Sequence, residues 1–171
     1  MPGKENILIG RTEINTRVRE IARAIDEDYR GKEILFVGVL KGAVVFLADL
    51  IRYIQTPSEI DFIAVSSYGA STKSSGVVRI IKDLDRSIEG REVIIVEDII
   101  DTGLTLKFIA DNFRQRRPLS IKIVAFLDKP ARRLIDIEAD YRGFVIPDHF
   151  VVGYGLDYNE KYRHLPDIYF I

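Results

Sequence analysis

Apolar and polar positions fall in blocks along this chain, and the period of the blocks keeps changing. Ile7-Leu8-Ile9 is a short run of strand type. Over 13–29, Ile14, Val18, Ile21, Ala22 and Ile25 recur at helical spacing, and Gly31 stops the pattern. Ile34 to Leu40 is a continuous apolar run of strand length. Lys41-Gly42-Ala43 interrupts it, and Val44 to Ile54 predicts a helix. Ser58 to Ser67 predicts a partly alternating strand, 69–76 (GASTKSSG) a mobile loop, and Val77 to Ile81 a strand leaving that loop. A strand at 93–96, a helix near 104–116 and a buried strand from Ile121 to Leu127 complete the series. Strands and helices alternate from 7 to 127 with short connections. That predicts an α/β fold, a mainly parallel sheet with helices on both faces. From about 128 the chain turns rich in aromatics, Pro and Gly, and it reads as an elaboration over the sheet edge. The expected organisation is a single domain, 1–171, with a core of about 12–127 and a small hood of about 1–11 and 128–171.

Composition narrows the chemistry. Of 171 residues, 30% are charged and 47% hydrophobic, which excludes a disordered chain. A net charge of -1 gives no global reason to expect nucleic acid or a membrane surface as partner. The absence of cysteine excludes disulfides, thiol nucleophiles and thiolate metal sites. His149 and His164, the only histidines, lack zinc spacing and read as surface residues. Neither GxxxxGK[ST] nor GxGxxG occurs. The N-terminus lacks the apolar core of a signal peptide, and no apolar run approaches roughly 18 residues, so a cytoplasmic protein is expected.

The most informative stretch is 93–105, VIIVEDIIDTGLT. Four aliphatics lead into Glu97 and Asp98. Asp101 follows, and Thr102-Gly103-Leu104-Thr105 opens a helix. This puts charge at the carboxyl edge of a sheet, where open α/β proteins bind ligands. Paired carboxylates accept hydrogen bonds from a ribose diol or face a hard cation such as Mg²⁺. The N–H groups of the turn and helix start suit a phosphate. A plainer reading makes Asp101 or Thr102 a helix cap, but it accounts for one of the three acids and leaves the other two unexplained. A ribose-phosphate ligand is expected.

The segment EDIIDTG resembles the phosphoribosyl-diphosphate motif of type I phosphoribosyltransferases, in particular the hypoxanthine-guanine branch. The resemblance runs from about residue 7 to the C-terminus and includes the string VVGYGLDYNEKYR over 151–163. It implies transfer of a 5-phosphoribosyl group from phosphoribosyl diphosphate to N9 of hypoxanthine or guanine, giving IMP or GMP and diphosphate, with Mg²⁺ as cofactor. Asp101 becomes the base toward purine N7. Glu97, Asp98 and the 101–105 loop (Asp101, Thr102, Gly103, Leu104, Thr105) hold ribose 5-phosphate. Lys41, Gly42, Ser67, Tyr68 and Arg163 meet the diphosphate, with a cis Leu40–Lys41 peptide and a lid over 69–76. Lys129, Phe150, Val151 and Asp157 surround the purine, and Glu97, Asp98 and Asp157 face the metal. Alone, Lys41-Gly42 is an ordinary turn and Lys129 a solvated lysine; the resemblance gives both a role. Departures are small: Ala43, Leu104 and His149 stand where some relatives carry Gly, Lys and Lys. Two other readings stay open, a nucleic-acid-binding regulator of the same fold and a transferase for xanthine or a pyrimidine. The family also implies a homodimer or homotetramer.

Overall fold

The computed structural model describes residues 2–67 and 78–171. A six-stranded sheet is built from β2 (Ile34–Leu40), β3 (Ser58–Ser67), β4 (Val78–Lys82), β5 (Glu92–Ile100), β6 (Ser120–Asp128) and β7 (Tyr141–Val145). The strand order is β4-β3-β2-β5-β6-β7. All neighbours are parallel except β3 and β4. A second, three-stranded sheet joins the two ends of the chain: β1 (Ile7–Ile9), β9 (Ile168–Phe170) and β8 (Val151–Val152).

Alternation along the central strands divides the core in two. In β2, Ile34 and Phe36 pack on one face with α1 (Arg11–Asp28) and α2 (Val44–Ile51), while Leu35, Val37 and Val39 pack on the other with α3 (Leu104–Arg114). Strands buried on both faces need unbroken apolar runs, which is why Ile34 to Leu40 carries no polar residue. The five α1 positions picked out by spacing, Ile14, Val18, Ile21, Ala22 and Ile25, are the five it buries. Gly10 precedes α1 and offers no side-chain cap. Asp167 supplies one from the far end of the chain, accepting the Arg11 N–H at 2.7 Å.

Three expectations change. α2 stops at Ile51 because Asp26 of α1 accepts the Gln55 and Thr56 amides and draws the chain off the helix axis. β5 does not stop at Val96 but runs to Ile100, since its ladder with β6 continues through Glu97, Ile99 and Ile100. β7 falls within the segment expected to form the hood, yet it pairs in parallel with β6 and extends the main sheet. Gly143 permits this close approach: a Cβ there would enter the Phe126 carbonyl. Among the described residues no helix is long and apolar enough to cross a membrane.

Candidate active site

β2 and β5 separate at their carboxyl ends. Their shared ladder ends at Gly38 and Val96, after which β2 stays with β3 and β5 with β6. The crossovers β2-α2-β3 and β5-α3-β6 leave in opposite directions along the sheet. Such a switch point opens a crevice above the strands. A cleft of about 270 Å³ lies there, lined by Leu40, Glu97, Asp101, Thr102, Gly103 and Thr105 among others. Leu104 is not part of the lining but opens α3.

Local geometry prepares this cleft for charge. Gly103 has φ +86°, a conformation glycine adopts without steric cost, and as the residue capping α3 it has no side chain to offer. Thr102 Oγ1 accepts only a long 3.4 Å contact from the Leu104 N–H. Asp101 Oδ1 makes no hydrogen bond to the helix start. The amides at the start of α3 thus keep their capacity to hold an anion, and Asp101 is not the cap. Arg132 Nε stands 3.1 Å from Asp101 Oδ1. Glu97 is buried at 7% exposure. Burial first, then the charge of Asp98, pushes its carboxyl well above the ordinary range. Burial raises Asp98 too, against the pull of the Ile99 N–H, which donates to Asp98 Oδ1 at 2.8 Å, and of the Arg163 charge.

The second group of site residues meets across long sequence distances. The Leu40–Lys41 peptide is cis, as the resemblance implies. Gly42 lies under Asp98, and a methyl at Gly42 would stand 2.6 Å from the Asp98 carboxyl carbon. A methyl at Gly155 would in turn enter the Gly42 carbonyl oxygen. Arg163 Nη1 donates to the Gly155 carbonyl at 2.7 Å, and its Nη2 lies 2.9 Å from Asp157. Lys41 Nζ pairs with Glu160 at 2.9 Å. The strand-end loops and the C-terminal segment are therefore joined by direct contact.

The residues expected beside the purine occupy neighbouring elements. Lys129 follows β6; it is buried at 6% exposure and its N–H donates to the Ile100 carbonyl at 3.0 Å. Phe150 is half exposed and meets Tyr158 edge-on at 5.7 Å and 88°. Val151 is buried in β8 opposite Phe170. Both histidines are exposed. Tyr68 and the 69–76 stretch lie outside the described residues, and of Ser67 only the backbone at the end of β3 is described.

Sequence reasoning passed over Arg132, Arg133 and Glu160. Arg133 forms an ion pair with buried Asp128 and donates to the Asp101 carbonyl at 3.3 Å, bracing the loop from behind. Leu134 N–H adds a 3.0 Å bond to the Thr102 carbonyl. The doubled Arg after Lys129-Pro130 was the available signal, since two cations beside a strand end need acidic partners.

The donor set suits a hard cation in part. Glu97 and Asp98 are adjacent oxygen donors whose burial disfavours their charges, and a divalent ion would relieve that. Asp157 is engaged by Arg163 and by the Glu160 N–H at 2.8 Å. Among the described residues no three such side chains converge on one point. Two carboxylates plus ligand phosphates is the usual way Mg²⁺ is held.

Residues 10–159 match the model of the phosphoribosyl transferase domain family. The chain is 56% identical over 164 residues to the hypoxanthine-guanine phosphoribosyltransferase of Bacillus subtilis, covering 96% of this chain and 91% of that protein. A crystal structure of a hypoxanthine-guanine phosphoribosyltransferase from Bacillus anthracis superposes with TM-score 0.93 at 49% identity, covering 97% of this chain and 98% of that one. A hypoxanthine phosphoribosyltransferase structure from Staphylococcus aureus gives TM-score 0.93 at 50% identity, with 96% and 90% covered. With a crevice at the switch point and likeness over nearly its full length, this chain belongs to the phosphoribosyltransferase family, in its hypoxanthine-guanine branch.

Proposed function

We propose that the chain is a purine salvage enzyme that moves the 5-phosphoribosyl group of phosphoribosyl diphosphate onto N9 of hypoxanthine or guanine, yielding IMP or GMP and diphosphate. The observation that carries this reading is the cleft between the ends of β2 and β5, where Glu97, Asp101 and the open start of α3 share one wall. The amides and hydroxyls of 102–105 hold the 5′-phosphate, so that binding energy spent away from C1′ aligns the reacting centre. Glu97 and Asp98 accept the ribose hydroxyls. Lys41, the Gly42 N–H and Arg163, with Ser67 and Tyr68, take up charge on the leaving diphosphate. Phe150 stacks on the purine, the Val151 backbone reads its edge, and Lys129 donates to the exocyclic oxygen. As N9 bonds to C1′ and the C1′–O bond breaks, the N7 proton passes to Asp101.

Glu97 and Asp98 would hold Mg²⁺, and Asp157 would hold a second Mg²⁺ near the diphosphate once Arg163 turns to the leaving group. The ions supply charge neutralisation on the diphosphate oxygens. The relatives named above are enzymes, which favours catalysis over a nucleic-acid regulator. A cytoplasmic homodimer or homotetramer fits the family, and Val44 and Tyr53, at 39% and 36% exposure, leave apolar surface on the 40–54 segment for such an interface. A spectrophotometric screen of hypoxanthine, guanine, xanthine, adenine and uracil with phosphoribosyl diphosphate and Mg²⁺ tests the reading. Turnover is expected with the first two; turnover with uracil alone, or with none, refutes it.

A further inference from the structure

Glu160 sits where the proposed leaving group should go. Its Oε2 is 2.9 Å from Lys41 Nζ and its Oε1 is 3.4 Å from Arg163 Nη2, so one carboxylate spans the two cations assigned above to the diphosphate. The backbone beneath it is unusual. Tyr158 and Lys161 exchange two N–H···O=C bonds of 3.1 Å around a two-residue turn. Asn159 and Glu160 both have positive φ, 50° and 63°. Turns of this kind favour Asn-Gly, and Glu is disfavoured at the second position. A backbone outlier whose side chain reaches two functional cations is a reason to look for a role rather than a turn alone. The Lys41 and Glu160 side chains are 67% and 65% exposed, so the pair is weak and exchanges readily with solvent and ions.

The geometry points to Glu160 as an internal anion that occupies the diphosphate subsite and must be displaced when diphosphate binds. This rests on the assignment of Lys41 and Arg163 to the leaving group. Before substrate arrives, Glu160 balances two cations that would otherwise repel each other. During binding it yields to a ligand carrying more charge and more acceptor oxygens. After transfer it competes again for both cations, which weakens the hold on diphosphate and speeds its departure. Glu160 therefore sets diphosphate affinity and release without touching the reacting atoms.

The test is calorimetric titration of inorganic diphosphate, with and without Mg²⁺, into the wild type, Glu160→Gln, Glu160→Gly and Arg163→Gln. Glu160→Gln keeps the shape and removes the charge. Glu160→Gly also removes the charge and frees the backbone. Both should bind diphosphate about 2- to 10-fold tighter, the scale of one or two exposed ion pairs, whereas damage to the turn would weaken binding. Arg163→Gln should bind at least about 10-fold more weakly. Unchanged or weaker binding in both Glu160 variants, with Arg163→Gln weakened, overturns the role of Glu160 alone. Unchanged binding in Arg163→Gln overturns the diphosphate assignment and the inference with it.

Discussion

Replacing Gly42 with Ala asks whether the loop after β2 and the acids of β5 form one site. The added Cβ would stand 2.6 Å from the Asp98 carboxyl carbon, and closer to one of its oxygens, where ordinary contacts begin near 3.4 Å. Relief needs a shift of about 1 Å in either the Asp98 side chain or the loop. Asp98 is held by the Ile99 N–H at 2.8 Å, and the loop is held by Gly155 against its carbonyl, so neither moves without loss. A misplacement of about 1 Å at a reacting centre costs on the order of 100-fold in rate. The crowding itself should cost about 1–3 kcal/mol of stability, or roughly 2–12 °C in melting temperature for a chain of this size. The assay is kcat/KM for phosphoribosyl diphosphate beside a thermal melt. Gly10→Ala is the control: Gly10 has φ -81° and open space around an added methyl, so it should leave kcat/KM unchanged. If Gly42→Ala kept kcat/KM within about twofold of wild type, the claim that Gly42 and Asp98 act on one ligand would fail.

Further outcomes follow from individual contacts. Asp101→Asn should retain IMP binding and the native melting temperature while kcat falls by about 10²–10⁴, the scale of a lost general base; near-native turnover would remove Asp101 from that role. Asp128 is 3% exposed and pairs with Arg133 and Arg142. Asp128→Asn should cost about 2–3 kcal/mol, less than a fully buried pair because Arg142 keeps access to water, and a loss of roughly 4–12 °C would appear in a melt. It should also weaken IMP binding through the 101–103 loop that Arg133 braces. Hydrogen bonds from Arg11, chiefly, hold the Asp167 carboxyl below its ordinary value. A depressed carboxylate stabilises the fold above its unfolded pKa of about 4, and that stability is lost as pH falls through the folded value. The melting-temperature gap between wild type and Asp167→Asn should therefore be full at pH 7 and shrink below about pH 4; a gap independent of pH would contradict this.

The sequence made legible what is contiguous or periodic. Ile34 to Leu40 could be bounded to the residue because burial on both faces forbids polar interruptions. The 93–105 segment carried its acids, turn and helix start within one short span. Its strand end was misjudged for a physical reason: Glu97 and Asp98 look like an exit from the core, yet the ladder with β6 continues past both acids to Ile100, four residues beyond Val96. β7, β8 and β9 left little trace, since strands of two to five residues are too short to show a period and take strand form only through distant partners. β1 and β9 pair across almost the whole chain. The contact between Lys41 and Glu160 spans 119 positions, and no local pattern announces it.

A crystal structure with IMP bound tests the central claim most directly. The account predicts the phosphate against the amides of 102–105, the ribose hydroxyls on Glu97 and Asp98, and the Asp101 carboxylate within hydrogen-bond reach of purine N7. A nucleotide bound away from the cleft between β2 and β5, with Asp101 still held by Arg132 and turned from the base, would contradict it.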